Sequence, residues 1–230
     1  MGIIGLQKMT LLDYPEKVAC TVFLSGCQFH CPWCHNAEIT SKQLASRMEE
    51  EEFFSFLKTR RGFLDGVCFT GGEPLLYPGL EGLIRESKKL GFLVKVDTNG
   101  YETNRLRDLV SSGLVDYLAM DIKNSPALYG KTVGIPDLDI RPISASISYL
   151  LQAGVDYEFR TTLIDQYHSL SSMAEISHWI HGAKRYFLQP FEDRETVPER
   201  NLSAPSPEKI EKMMALFQGK VGQIGLRGRS

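Results

Sequence analysis

The sequence lacks a charge imbalance, a long apolar run and a large number of cysteines. Its 230 residues carry 26 Lys and Arg against 28 Asp and Glu, which gives no electrostatic reason to expect nucleic acid or an anionic membrane as a partner. No apolar run approaches the ~20 residues that span a bilayer. The start, MGIIGLQKMT, shows neither a basic leader with a cleavage site nor an acylation signal. We therefore expect a cytoplasmic protein that binds neither nucleic acid nor membranes.

No linker or low-complexity stretch divides the chain, so we expect a single domain over residues 1–230. Strand-like runs alternate with helix-like ones. Strands are predicted at 17–26, 66–70, 93–97, 115–120, 156–161 and 185–189, and helices at 47–60, 80–90, 104–112, 143–153, 170–181 and 207–217. Six such units predict an α/β fold with a parallel sheet, and six strands would form a partial, TIM-like (β/α)6 barrel.

Smaller features add to this prediction. Ser46 and Glu49 match a capping box for the first helix, and residues 221–228 are read as a last short strand. Irregular insertions at 124–142 and 192–207 each follow a strand. The carboxyl ends of parallel barrel strands share one face, where active sites lie. The motifs expected to converge there are CQFHCPWCHN, TGGEP, DTNG, DIK, RTT and QPFE.

Three of the five cysteines, Cys27, Cys31 and Cys34, lie within eight residues, and no fourth is near them. A structural zinc site would need His30 or His35 to complete a Cys₃His set. A reactive thiol pair, Cys31 and Cys34, is a second interpretation. An iron–sulfur cluster with one iron left open is the third. A metal whose ligands all come from protein is structural, whereas an open coordination position admits a substrate or cofactor.

The motif C-x₃-C-x₂-C, with Trp33 before its last cysteine and the run Gly71-Gly72-Glu73-Pro74 after the next strand, resembles the radical S-adenosylmethionine (radical SAM) superfamily. The resemblance implies a radical SAM core fold. It also implies a [4Fe-4S] cluster on the three clustered cysteines, whose open iron chelates S-adenosylmethionine (AdoMet). In that family an electron from the cluster cleaves AdoMet, and the resulting 5′-deoxyadenosyl radical abstracts a hydrogen atom.

The resemblance also assigns residues to AdoMet. Gly71 and Gly72 carry no Cβ, so their backbone could approach a ligand closely, and in the family this segment meets the methionyl amine. Lys123 and Arg160 would supply positive charge toward the AdoMet carboxylate or ribose, although both could be ordinary ion-pair partners. The full set of expected AdoMet contacts is Trp33, His35, Gly71, Gly72, Glu73, Asp97, Asn99, Lys123, Arg160 and Gln189.

A second site is implied by similarity to activating enzymes of glycyl radical enzymes. Asp97, Thr98, the carbonyl of Met120 and Asp121 match a monovalent-cation site in those proteins, so Na⁺ or K⁺ is expected as a further cofactor. Unpaired, the two carboxylates would repel the AdoMet carboxylate, and a hard cation with oxygen ligands would relieve that repulsion. The alternative is that both aspartates cap turns.

The resemblance covers nearly the whole chain. It is closest to activating proteins of anaerobic (class III) ribonucleoside-triphosphate reductase, in the branch that begins like GLQKMTLLDYPEKVACTVFLSGCQFHCPWCHN. It implies an oxidoreductase that abstracts hydrogen from a glycine of this partner, reduced by a flavodoxin or ferredoxin-type protein. Cys20 and Cys68 lie in apolar strands as core thiols and cannot build a second cluster. The alternatives are an activase of another glycyl radical enzyme, a small-molecule radical SAM enzyme such as one in 7-deazaguanine synthesis, and a zinc-stabilised binding module.

Overall fold

The protein is described by a computed structural model covering residues 1–228. Its eight strands form one sheet whose spatial order follows the chain. The strands are β1 Ile3–Thr10, β2 Ala19–Leu24, β3 Gly66–Gly71, β4 Leu93–Thr98, β5 Tyr117–Asp121, β6 Asp156–Leu163, β7 Arg185–Pro190 and β8 Gln223–Leu226. β1 pairs antiparallel with β2, and every later pair is parallel.

Helices follow six of the parallel strands, which confirms the predicted alternation. They are α1 Glu50–Thr59, α2 Leu80–Lys89, α3 Thr103–Ser111, α4 Tyr129–Thr132, α5 Arg141–Gln152, α6 Leu170–Trp179 and α7 Pro207–Ala215. Pro142 and Pro207 lie in first helical turns, as their missing N–H favours. Across residues 1–228, no helix has the length and apolar character that crossing a bilayer requires.

The sheet remains open, as the predicted partial barrel requires, and two further strands, β1 and β8, flank the six strands of the predicted units. Among the described residues, β1 and β8 pair only with β2 and β7, so the two edges do not meet. The short strand within 221–228 is confirmed as β8. The prediction missed β1, whose central residues Gln7, Lys8 and Met9 are exposed and leave only a weak apolar pattern. The single-domain prediction over 1–230 stays a prediction, and its last two residues lie outside the described part.

The structure differs from two local predictions, the capping box at Ser46 and the irregular insertion at 124–142. The capping box at Ser46 was wrong, because its hydroxyl donates to the carbonyls of Ile3 at 3.0 Å and Met48 at 2.7 Å. Helix α1 begins at Glu50, with Glu49 as an N-cap that makes no side-chain capping bond. The insertion at 124–142 contains the one-turn helix α4 and the start of α5.

The core lies on both faces of the parallel strands, which accounts for their nearly continuous burial. Cys20 and Cys68 are fully buried within it, as predicted. Lys95 and Glu158 are buried as well, and both are in ion pairs, Lys95 with Asp97 and Glu158 with Arg227. The strands therefore carry charged groups beneath the face where their carboxyl ends meet.

Candidate active site

A cavity of about 360 Å³ lies at the carboxyl ends of the parallel strands. It brings together nearly all the residues that the sequence assigned to the site. Those lining it are Cys27, Cys31, Trp33, Cys34, His35, Gly71, Gly72, Asp97, Thr98, Asn99, Asp121, Lys123, Arg160 and Gln189. The strand-end rule therefore located this cavity correctly.

Two predicted site residues do not line the cavity. Met120 is fully buried. Glu73 is also fully buried, and its carboxylate accepts hydrogen bonds from the Thr98 hydroxyl at 2.7 Å and the Asn99 N–H at 2.7 Å. Burial raises the pKa of Glu73 to about 7, against the lowering effect of these donors. Glu73 thus ties the end of β3 to the end of β4, behind the cavity wall.

The cysteine loop, residues 27–36, holds its thiols in a partly buried setting. Burial raises the pKa of Cys27 to about 11 and that of Cys31 to about 12, and it also raises the pKa of Cys34. A reactive dithiol requires the opposite, a lowered thiol pKa. The environment therefore favours thiols that lose their protons only when a metal binds.

The histidines do not complete a zinc site. His30 is exposed, and His35 has its Nε2 atom 2.7 Å from the Glu192 carbonyl oxygen and its ring stacked on Phe191. Within the described part of the chain, no three His, Cys, Asp or Glu side chains are grouped so that they could hold a metal ion. Zinc needs four ligands at ~2.0–2.3 Å. Three thiols that line one cavity, without a fourth protein ligand among residues 1–228, suit the separate irons of a cluster better.

The two glycines are required for a reason other than the one expected. A Cβ on Gly71, whose φ is +125°, would overlap the backbone of Leu24, and one on Gly72 would overlap the carbonyl oxygen of Gly26. Their lack of a side chain lets the end of β3 close against the end of β2 and the cysteine loop. Asn36 reinforces this contact by donating to the Gly71 carbonyl at 2.9 Å.

Five charged side chains alternate in sign across the neighbouring strands β4, β5 and β6 and the residues just after β5. We call them the charged row: Lys95, Asp97, Arg160, Asp121 and Lys123. Lys95 pairs with Asp97. Arg160 bridges the two aspartates, with Nη1 3.5 Å from Asp97 Oδ2 and Nε 3.0 Å from Asp121 Oδ1. Lys123 Nζ lies 2.8 Å from Asp121 Oδ2. Three cations thus face two carboxylates.

These ion pairs overcome the cost of burial. Burial alone would raise the pKa of Asp121, but Lys123 and Arg160 outweigh it and hold that pKa at about 2. Burial likewise opposes ionisation of Asp97, whose pKa is still lowered by Arg160 and Lys95. The premise of the cation prediction, that the two carboxylates are unpaired, was wrong. The row has one cation more than it has carboxylates, and two of its cations, Lys123 and Arg160, line the cavity, where they could face a carboxylate ligand.

Trp33 is fixed by both insertions. Its Nε1 donates to the Thr132 carbonyl at 3.2 Å, and its ring packs with Phe191, Val197 and other apolar side chains. Lys123 Nζ lies 5.0 Å from the ring centroid, within cation–π distance. The tryptophan therefore forms a side wall next to the charged row.

Seven further residues line the cavity: Asp13, Phe29, Asn36, Thr40, Thr70, Thr162 and Arg194. Phe29, Asn36, Thr70 and Thr162 lie within motifs that were expected to converge there, although no role was assigned to them. Sequence reasoning missed Asp13, Thr40 and Arg194. Asp13 had no strand-end signal, because it precedes β2 and reaches the cavity through a loop, where it accepts a 2.5 Å hydrogen bond from Thr21.

Comparison with known proteins agrees with this geometry. The family model described as the Radical SAM superfamily matches residues 21–180. Over 214 residues the chain is 29% identical to MJ1227 of Methanocaldococcus jannaschii, whose name describes a candidate glycyl-radical enzyme activating enzyme, and the match covers 90% of this chain and 87% of that protein. Pyruvate formate-lyase-activating enzyme of Clostridium pasteurianum is 29% identical over 125 residues, 52% of this chain and 51% of that one.

A solved structure extends the comparison to the fold. A radical SAM methyltransferase from Sphaerobacter thermophilus superposes with a TM-score of 0.70 at 19% sequence identity, covering 96% of this chain and 69% of that one. Almost the whole of the described chain therefore shares the radical SAM fold.

Proposed function

Because the chain belongs to the radical SAM superfamily, and is therefore an enzyme of [4Fe-4S] and AdoMet chemistry, we propose that it activates a glycyl radical enzyme. In this proposal it removes a hydrogen atom from the Cα of one glycine in a partner protein. With one electron from the cluster, AdoMet would give methionine and 5′-deoxyadenosine, which takes up the abstracted hydrogen atom, and the partner would be left with a glycyl radical. The partner we propose is anaerobic ribonucleoside-triphosphate reductase.

The observation that carries the proposal is the extent of the similarity to MJ1227, which covers 90% of this chain and 87% of that one. The cysteine content supports it, since the two cysteines outside the loop are buried core thiols and leave no ligands for a second cluster. The chain thus resembles an activase that has one cluster and no auxiliary centre.

In this function the cavity residues would hold the cofactors. Cys27, Cys31 and Cys34 would bind the cluster, which when bound supplies the electron that cleaves AdoMet. The net positive charge of the charged row would attract the AdoMet carboxylate, with Lys123 and Arg160 lining the cavity. The protein binds, orients and excludes water, while the cofactors carry the difficult chemistry.

The expected monovalent cation at Asp97, Thr98, the Met120 carbonyl and Asp121 stays an untested prediction, and we propose instead that the cations of the charged row act at this position. Such an ion would have to replace Arg160 or Lys123 beside the aspartates, since both carboxylates already have cationic partners. The cations of the charged row would reduce the repulsion between the two aspartates and the AdoMet carboxylate without a bound ion.

A protein substrate suits the open architecture. Within residues 1–228 the two sheet edges do not pair with each other. Both insertions bond to the cysteine loop: His30 N–H donates to the Val133 carbonyl at 2.9 Å, and Glu199 N–H donates to the Pro32 carbonyl at 2.8 Å. A small metabolite would favour a pocket enclosed on most sides. We propose that the insertions grip the glycine-bearing segment of the partner, and that a flavodoxin or ferredoxin-type protein supplies electrons.

The test is electron paramagnetic resonance (EPR) of the reduced, reconstituted protein mixed with AdoMet and anaerobic ribonucleotide reductase. We expect a glycyl doublet that collapses when the glycine Cα carries deuterium, with deuterium recovered in 5′-deoxyadenosine. The Cys31→Ala variant is the control and should give neither signal. A doublet only with a different glycyl radical enzyme would reassign the partner. No doublet, together with AdoMet cleavage driven by a small metabolite, would overturn the proposal in favour of a small-molecule enzyme.

A further inference from the structure

Asn99 reaches across the cavity from the end of β4 to a sulfur of the cysteine loop. Its side-chain Nδ2 lies 3.9 Å from Cys27 Sγ, and the backbone N–H of Phe29 donates to the same sulfur at 3.4 Å. The Cys27 thiol in turn points to Gln28 Oε1 at 3.9 Å. Cys27 is therefore approached by a backbone donor and by a side-chain donor from another strand.

The orientation of the Asn99 amide is fixed by its other contacts. Its Oδ1 accepts hydrogen bonds from Gln28 Nε2 at 3.1 Å and from the Tyr101 N–H at 3.0 Å. A flipped amide would place its NH₂ against these two donors, so the network assigns the NH₂ to the sulfur side. The Asn99 backbone N–H donates to Glu73 at 2.7 Å, and the residue is buried. The donor is thus held in place without any ligand present.

A donor aimed at a cluster thiolate has a defined electronic effect. Hydrogen bonds to the sulfurs are among the factors that set the reduction potential of iron–sulfur clusters. The reduced cluster carries one more electron, so an N–H that points at its sulfur stabilises the reduced form more than the oxidised form. Removing that donor makes the cluster harder to reduce.

We propose that Asn99 is a positioning residue that raises the reduction potential of the cluster by donating to the Cys27 thiolate. The proposal rests on the proposed function, in that Cys27 must be a cluster ligand. Backbone donors come with the fold of the loop, whereas this side-chain donor can be removed without altering the loop sequence. It therefore gives a way to change the potential while the three ligands stay in place.

The experiment is an EPR-monitored redox titration of the reconstituted protein without AdoMet. In Asn99→Ser the hydroxyl can still accept from the Tyr101 N–H, as serine does in turns, but it is too short to donate to the sulfur. At a fixed solution potential we expect the ratio of reduced to oxidised cluster to fall about tenfold, which corresponds to ~59 mV for a one-electron couple. Asn99→Asp keeps the acceptor oxygen and replaces the donor with a charged oxygen, so its potential should be lower still.

The matched control is Asn124→Ser. Asn124 is buried and donates to Thr132 Oγ1 at 2.8 Å and to the Tyr167 carbonyl at 3.0 Å, without contact to a sulfur. The reduction potential of the cluster in Asn124→Ser should equal that in the wild type. A wild-type protein that takes up no cluster would overturn the proposed function. If Asn99→Ser and Asn99→Asp both bind the cluster and their reduction potentials equal that of the wild type, this inference is overturned and the proposed function is not. If only one of the two variants binds the cluster, the reduction potential of that variant is the test.

Discussion

The cysteine loop and the charged row face each other across one cavity, yet their geometry is set in different ways. The loop is positioned by backbone contacts, such as the 2.8 Å hydrogen bond from Cys27 N–H to the Thr40 carbonyl, and by glycines that leave no room for a side chain. The charged row is positioned by side-chain ion pairs on rigid strands. We therefore expect all-or-none effects from changes in the loop and graded effects from changes in the row.

The largest effect should come from removing a loop thiol. Cys31→Ala leaves two thiolates for the cluster, so we expect no cluster uptake on anaerobic reconstitution and no AdoMet cleavage, measured as iron and sulfide per chain and as 5′-deoxyadenosine formed. Cys20→Ala is the control, because Cys20 is a buried core thiol. Full iron content in the Cys31→Ala protein would show that the loop is not the cluster site.

A backbone clash should disturb the loop nearly as much. Gly72→Ala places a Cβ closer than 3.0 Å to the Gly26 carbonyl oxygen, and we expect a loss of unfolding free energy of ~2–4 kcal/mol with weakened cluster uptake. Gly82→Ala in α2, where nothing lies within 4 Å of the new Cβ, should stabilise by ~0.5–1 kcal/mol. Urea unfolding of the two variants measures the contrast, and equal stabilities would contradict it.

The charged row should respond in a graded manner to loss of its central cation. Arg160→Met leaves two partly buried carboxylates to share the row with two lysines, so we expect the unfolding free energy to fall by ~3 kcal/mol and the AdoMet dissociation constant to rise by about tenfold or more. Arg85→Met, which breaks an exposed pair with Glu81 on α2, should cost less than ~0.5 kcal/mol. Unchanged AdoMet affinity in Arg160→Met would remove the row from the binding site.

Glu73 follows β3 and accepts hydrogen bonds from Thr98 and Asn99 at the end of β4. It should make the unfolding free energy depend on pH. Its pKa is raised to about 7 by burial, so the folded state holds the proton more tightly than the unfolded state does. Stability is then greatest below the unfolded pKa of ~4.3 and falls by ~1–3 kcal/mol as pH rises through 7. Asp121, whose pKa is lowered to about 2, loses its contribution only in strong acid. Buried His168, whose pKa is lowered by desolvation, contributes an opposite rise in stability over the same pH range. Urea unfolding of the apo wild type and of Glu73→Gln at pH 5 and 7.5 should therefore show the fall as the difference between the two proteins, since His168 is common to both.

The smallest effect should be that of the monovalent cation. Because Arg160 and Lys123 already pair with the aspartates, we expect exchange of K⁺, Na⁺ and a bulky organic cation to change the AdoMet dissociation constant less than twofold. Calorimetric titration of the reconstituted protein at constant ionic strength measures this. A steep preference for one ion would show that it replaces a protein cation when AdoMet binds.

The general arrangement of the site could be predicted from the sequence because parallel strands place their carboxyl ends together. Cys27, Gly71, Asp97 and Asp121 were found this way, since each lies at or just beyond a strand end. Arg160 was expected at such an end but lies inside β6, which continues to Leu163. Strand β1 could not be found by the same rule, because an antiparallel edge strand with exposed central residues has little apolar periodicity to detect.

The reasons for several features of the site are visible only in the three-dimensional contacts. Nothing in the sequence indicates that Gly72 avoids the carbonyl of Gly26, just before the cysteine loop, rather than a ligand. Pairing within the charged row depends on strand register, which places Arg160 of β6 opposite Asp121 of β5. Lys95 lies two residues before Asp97 on β4 and so shares its face, but nothing in the sequence shows that this lysine is buried. Asp13 reaches the cavity only through the path of its loop.

The central claim is that the cysteine loop and the charged row hold one AdoMet between them. Electron–nuclear double resonance of the reduced cluster, with AdoMet labelled by ¹⁵N in its amine and ¹⁷O in its carboxylate, tests this most directly. We expect hyperfine coupling from both labels in the wild type and loss of the ¹⁷O coupling in Arg160→Met at the same AdoMet concentration. A wild-type cluster signal without coupling from either label, in protein shown to have AdoMet bound, would contradict the claim.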